Sequence, residues 1–201
     1  MKNFLKKRWP WLLALTALIA LLIFLLVRCD GQDTELPTLT VETPQKLSKA
    51  ETTEFTLDVT ISNLGDALYP AMSMSIAFDA SRLEFLGVEE GNVFVYDTEN
   101  TTGQQLPEWS YDVASSNTSG RINIMYLDLT GGKHAFSKNL LAEKDNVVLR
   151  LRFRLKGSVR AGDVMDLIVE DAVFAASDEN ESLAMTRNTL RVRNGKLVIG
   201  E

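Results

Sequence analysis

From Thr38 onward, apolar and polar residues alternate with a period of two. Phe55, Leu57, Val59 and Ile61 alternate with Thr56, Asp58, Thr60 and Ser62, and Met72, Met74, Ile76 and Phe78 alternate with Ser73, Ser75, Ala77 and Asp79. Leu149, Leu151, Phe153 and Leu155 alternate with Arg150, Arg152, Arg154 and Lys156. Shorter runs occur at Met165, Leu167 and Val169 and at Leu190 and Val192. Successive side chains of a strand point to opposite faces, so each run predicts a strand with one buried and one solvated face, as in antiparallel sheets. No convincing 3.6-residue apolar pattern of useful length appears in this region. Turn chemistry separates the runs at Asn63-Leu64-Gly65-Asp66, Ser119-Gly120, Gly131-Gly132, Ala161-Gly162-Asp163 and Asn194-Gly195. Eight or nine such strands can bury their apolar faces only if two sheets pack together. The expected fold is all-β, a nine-stranded jelly-roll β-sandwich spanning 38–201.

One apolar run has a different character. Trp9 to Val27 carries no charge over nineteen residues, roughly 28 Å as a helix and close to the thickness of a bilayer core. A cleaved signal peptide would have a shorter apolar core and a small-x-small site, whereas Arg28-Cys29-Asp30 follows here. Lipidation at Cys29 would call for a small residue where Arg28 stands. An uncleaved transmembrane signal-anchor over 9–28 is the preferred reading, with a basic tail at 1–8 and a tether at 29–37. Lys2, Lys6, Lys7 and Arg8 precede the span, so the N-terminus is expected in the cytoplasm and the sandwich outside. The tether has nine residues, which as a random coil span roughly 15–18 Å and keep the domain near the membrane.

Charge narrows the range of partners. Five of the 21 basic residues lie at or before Arg28, which leaves 16 against 27 acidic residues and a net charge of −11 on the remainder. Such a surface repels nucleic acid and anionic headgroups. Cys29 is the only cysteine, so the sandwich is held by its core rather than by disulfides.

The segment from Ser75 to Phe94 breaks the alternation at Phe78-Asp79 and then restarts it. Asp79 is read as an Asx-turn residue that folds its carboxylate onto backbone N–H groups near Ser81, with Phe78, Leu83 and Phe85 inward. Gly87 and Gly91 are expected at a bulge or parity change. The string Phe78-Asp79-x-x-x-Leu83-Glu84-Phe85-Leu86-Gly87-Val88-Glu89-x-Gly91 resembles the core motif of cohesin domains, the modules of bacterial cellulosomes. The likeness extends to Thr38–Val41, Glu54–Ser62, Val147–Lys156, Val173-Phe174-Ala175 and Asn194-Gly195-Lys196-Leu197-Val198-Ile199. It implies a flattened jelly roll that binds a dockerin on one sheet face, which includes Ala71–Asp79 and its neighbours. The calcium of such a pair belongs to the dockerin. Ala71-Met72-Ser73 stands where dockerin-binding members carry an Asn-x-Asp pair, and Ala80 where proline is usual, so the implied module is divergent.

The residues chosen for partner binding are Ser73, Ser75, Tyr96, Asn123, Met125 and Leu127. Leu127 and Leu129 fall out of phase with Ile122 and Ile124, which suggests either an exposed apolar patch or a bulge that turns them inward. Trp109 and Tyr111 form a candidate glycan platform if exposed and coplanar, so a carbohydrate-binding module is the rival reading. A structural subunit of an envelope assembly is a third. Asp178, Asn180 and Ser182 resemble the first half of a calcium loop but lack its glycine and distal glutamate, and no resident cofactor is expected. The row Arg150, Arg152, Arg154 and Lys156 is read as cross-strand pairing with carboxylates such as Asp166 and Glu170. No catalytic constellation is present in the sequence: His134 is the lone histidine and is read as a surface residue, so the chain is not expected to be an enzyme. Asn100, Asn117 and Asn180 each begin an Asn-x-Ser/Thr triplet in an expected loop.

Overall fold

The structure is a computed structural model and describes residues 36–49, 53–64, 67–92, 108–132, 134–137, 146–177 and 184–201. The apolar run at 9–27, Cys29, Tyr96, the Asp178–Ser182 segment, Asn100 and Asn180 lie outside these residues. No helix among the described residues is long and apolar enough to cross a membrane. The chain divides at Leu36, and the unit that follows runs to Glu201.

Among the described residues that unit is an all-β sandwich with one short helix. Its strands are β1 (Thr38–Val41), β2 (Leu47–Ser48), β3 (Glu54–Ser62), β4 (Ala71–Ala77), β5 (Leu83–Glu90) and β6 (Glu108–Ser110), followed by helix α1 (Val113–Ser119). Then come β7 (Arg121–Leu127), β8 (Val147–Leu155), β9 (Val164–Ala175), β10 (Arg191–Arg193) and β11 (Gly195–Gly200). One sheet has the order β10-β1-β3-β8-β5 and the other β2-β11-β9-β4-β7-β6. Nine strands were expected and eleven are described, of which β2, β6 and β10 are short pieces at sheet edges.

The alternating residues fill the space between the sheets. Leu57, Val59 and Ile61 of β3 and Leu149, Leu151 and Phe153 of β8 meet Met72, Met74 and Ile76 of β4 and Ile122, Ile124 and Tyr126 of β7, all buried. Phe153 gathers Phe55, Phe78 and Phe85 at ring distances of 6.0, 5.5 and 5.7 Å. Phe136 joins Tyr126 and Phe174 at 4.9 and 5.4 Å.

Three register shifts interrupt the alternation. Where β3 pairs with β8 the register slips between Val59 and Thr60, so Val147, Val148 and Leu149 of β8 are all buried. In β5 the register slips between Phe85 and Gly87, and Gly87 adopts φ 146°, which side chains rarely tolerate. In β9 it slips opposite Ser75/Ile76, so Glu170 and Asp171 are both exposed before Ala172 and Phe174 turn back into the core.

Helix α1 is a correction to the all-strand reading. Its sequence, VASSNTS, has no apolar stripe, so periodicity could not reveal it. Its ends define it instead. Asp112 caps the N-terminus by accepting from the Ser115 N–H at 2.9 Å, and Gly120 closes the C-terminus at φ 69°.

Candidate partner-binding face

The Asp79 unit builds the corner from which β4 leaves the core. Asp79 Oδ1 accepts from the Ser81 N–H at 2.9 Å and from the Ser81 hydroxyl, while Oδ2 accepts from Arg82 Nε. The Ser81 hydroxyl, more than the Arg82 guanidinium, holds the Asp79 carboxyl below its ordinary range, with burial opposing them. Lys156 Nζ donates to the Ala80 carbonyl at 2.6 Å and Ser158 to that of Ser81 at 2.9 Å. The carboxylate is therefore fully engaged in turn chemistry.

The outer face of the five-stranded sheet is a ladder of ion pairs. Arg154 reaches Glu54 at 2.5 Å and Glu84 at 3.0 Å. Arg152 lies 3.3 Å from Glu89, and Arg150 lies 3.2 Å from Asp58. The three arginines of the basic row are paired across strands as expected, but with different acids, whereas Lys156 donates to the Ala80 carbonyl instead. Asp166 and Glu170 belong to the opposite sheet, where Asp166 stands across from Lys196 and Glu170 binds Arg121 at 2.5 Å.

The outer face of the six-stranded sheet is built differently. Ala71 pairs with Leu127, Ser73 with Met125, and Ser75 with Asn123 across β4 and β7. On the other flank the same three residues pair with Ala175, Val173 and Asp171 of β9. Five of the six sequence-chosen binding residues thus share one patch, and the sixth, Tyr96, lies outside the described residues. Ser75 Oγ donates to Asn123 Oδ1 at 2.7 Å. Met125 is 57% exposed and Leu127 41%. No bulge turns Leu127 inward, and Leu129 beyond it is 42% exposed. A hollow of about 200 Å³ runs between Ala71, Ser73, Met125, Leu127, Val173 and Ala175.

The candidate glycan platform does not form. Trp109 on β6 packs against the core with its ring 4.8 Å from Tyr126. Tyr111 is 38% exposed and stands edge-on to Phe85 at 6.0 Å. The strand ends between them, so the extended geometry that would put both rings on one side is lost.

Two further residues depart from the sequence reading, and a third, Asp171, had none. His134 is buried, with 2% exposure. The turn after β7 folds over it: Asp128 accepts from Thr130 and from the His134 N–H, and Tyr126 donates to the His134 carbonyl at 2.5 Å. Asn117 lies in α1 rather than in a loop, and its side-chain amide pairs with the edge of β5. Oδ1 accepts from the Phe85 N–H and Nδ2 donates to the Phe85 carbonyl, both at 2.8 Å. Asp171 went unnoticed because it follows an acidic neighbour at the bulge; the consecutive Glu170-Asp171 that breaks the alternation was the available signal. Among the described residues no group of three or more His, Cys, Asp or Glu could hold a metal ion.

A family model for the cohesin domain matches residues 38–192. The chain belongs to the cohesin family. Cohesins are non-catalytic protein-interaction modules. Similar solved structures include the third cohesin of ScaC from Acetivibrio cellulolyticus in complex with the ScaB dockerin, at 14% identity and TM-score 0.59, covering 83% of this chain and 100% of that one. A type I cohesin–dockerin complex of OlpA from Clostridium thermocellum matches at 18% identity and TM-score 0.59, over 82% and 99%. CaCohA2 from Clostridium acetobutylicum matches at 22% and 0.57, over 83% and 92%. No curated protein matches the sequence. At these identities the structural likeness speaks for the fold.

Proposed function

We propose that this cohesin is anchored in the membrane by residues 9–28, faces outward, and docks a dockerin-bearing protein on the outer face of its six-stranded sheet. The observation that carries this reading is the exposed row Met125–Leu127 with its hollow, on an outer face where the described residues show the single ion pair Arg121–Glu170 rather than a ladder. Exposed apolar side chains grouped beside small residues give a partner area to bury at little desolvation cost. Ser73, Ser75 and Asn123 supply the hydrogen-bonding groups around that row.

Isothermal titration of the full chain in detergent micelles against a panel of calcium-loaded dockerins tests the reading. Binding that disappears with a calcium chelator and with Leu127→Asp is expected. Failure of the whole panel, or binding unchanged in Leu127→Asp, would overturn it. Protease treatment of intact cells should remove the sandwich and spare the N-terminal tail; protection of the sandwich would reverse the orientation.

A further inference from the structure

Next to the apolar row the same face sinks into a concavity of about 480 Å³. Its floor is formed by Ser73, Ser75 and Asn123, and its wall by Tyr111, Asp112 and the first turn of α1. Its charge is unbalanced. Asp171 opens into it from the β9 bulge and has no ion-pair partner among the described residues. Asp112 engages Oδ1 with the Ser115 N–H to cap the helix. Arg121, the only cation among the described residues of the lining, is already held by Glu170 at 2.5 Å. The half-exposed ring of Tyr111 and the thioether of Met125 stand at the rim.

A long aliphatic stem ending in a positive charge suits this arrangement: the stem lies against Met125 and Tyr111, and the head meets Asp171. We propose that the concavity receives a lysine or arginine side chain of the docked protein, which makes Asp171 a specificity-determining residue. The proposal rests on the docking reading above and commits it to a partner with a definite pattern. Ser75, opposite Asp171, lies four residues from Ala71, opposite Leu127. The partner must therefore present its basic side chain roughly 14 Å from its apolar anchor.

The test is a titration of the 15N-labelled full chain in micelles with N-acetyl-argininamide and with its neutral citrulline analogue. The arginine compound should shift the Ser75, Tyr111 and Asn123 amides saturably, and the citrulline compound should not. Asp171→Asn should weaken the arginine titration roughly tenfold, while Asp166→Asn, elsewhere on β9, leaves it unchanged. Equal shifts from both compounds, or indifference to Asp171→Asn, would overturn the proposal. So would concentration-dependent self-association abolished by Asp171→Asn, which would assign the cavity to a second copy of the chain. If no dockerin binds but the arginine titration behaves as described, the docking reading fails while the cavity's preference for a cation stands.

Discussion

On the five-stranded sheet, Arg150, Arg152 and Arg154 each reach a carboxylate of a neighbouring strand, whereas the equivalent rows of the six-stranded sheet carry Ala71, Ser73, Met125, Leu127 and Val173. Both faces are open to water, but they offer a partner different terms. A protein landing on the ladder would have to desolvate charges that already have partners, for little net gain. A protein landing on the other face displaces water from thioether, methyl and hydroxyl groups and gains most of the area it buries. Exposure alone does not mark a docking surface; what matters is whether its polar groups are already engaged within the domain.

The comparison can be broken most severely from beneath both faces. Phe153→Ala empties the centre of the aromatic group under β3, β5 and β8 and should cost about 3–5 kcal/mol in urea unfolding. Partner binding should fall with the folded fraction and no further. Leu127→Asp should do the reverse, costing about 2 kcal/mol or more of binding free energy in calorimetry with the unfolding midpoint nearly unchanged. If the two substitutions changed stability and binding in parallel, the faces would not be independent.

A smaller effect is expected at the corner between the sheets. Asp79→Ala removes the acceptor of Ser81 and Arg82 and should cost about 1–2 kcal/mol. Because folding lowers the Asp79 pKa, its contribution is complete above the unfolded value of 3.8 and fades as the pH falls below that value through the folded one. Wild-type and Asp79→Ala unfolding midpoints should therefore converge in acid and separate near neutrality. Smallest of all is the ladder itself. Glu54 and Glu84 hold the Arg154 guanidinium all the more firmly protonated, yet these are exposed pairs. Arg154→Glu should lower the midpoint slightly, added salt should shrink the difference, and binding should not change.

How far the sequence could be read depended on whether a feature announced itself through periodicity. β3 and β4 were legible because each keeps one phase from end to end, β8 because it does so from Leu149 onward, and Leu83 and Phe85 because the Asx-turn of Asp79 resets the phase at a visible point. β9 was read only to Val169, since Glu170 and Asp171 shift the alternation by one and the residues beyond it then appear misplaced. Helix α1 was invisible to any search for an apolar stripe; Asp112 and Gly120 define it, and Ser119-Gly120 reads equally well as a turn. His134 was misjudged because its burial depends on Tyr126 and Asp128, whose reach across the turn no local pattern encodes. Ser73, Ser75, Asn123, Met125 and Leu127 could be grouped from strand parity, but Tyr111 and Asp171 reach the same face through a strand end and a bulge.

The pairing of Asn117 with the edge of β5 bears on how the protein can be manufactured. Asn117-Thr118-Ser119 is an acceptor triplet for oligosaccharide transfer in a eukaryotic secretory pathway, and the transfer occurs on Nδ2. That nitrogen is occupied by the carbonyls of Phe85 and Val113 once the sandwich has formed. A sugar at this position can only be attached before folding, and the chain that carries it loses the bond between α1 and β5. Material secreted from yeast or insect cells should therefore divide into an unmodified, native fraction and a glycosylated, less stable one. Replacing Thr118 with alanine gives up one hydroxyl bond to the Ala114 carbonyl and still leaves an acceptor site, because the triplet ends at Ser119. Ser119→Ala is the change that removes the acceptor and keeps the Asn117 clamp.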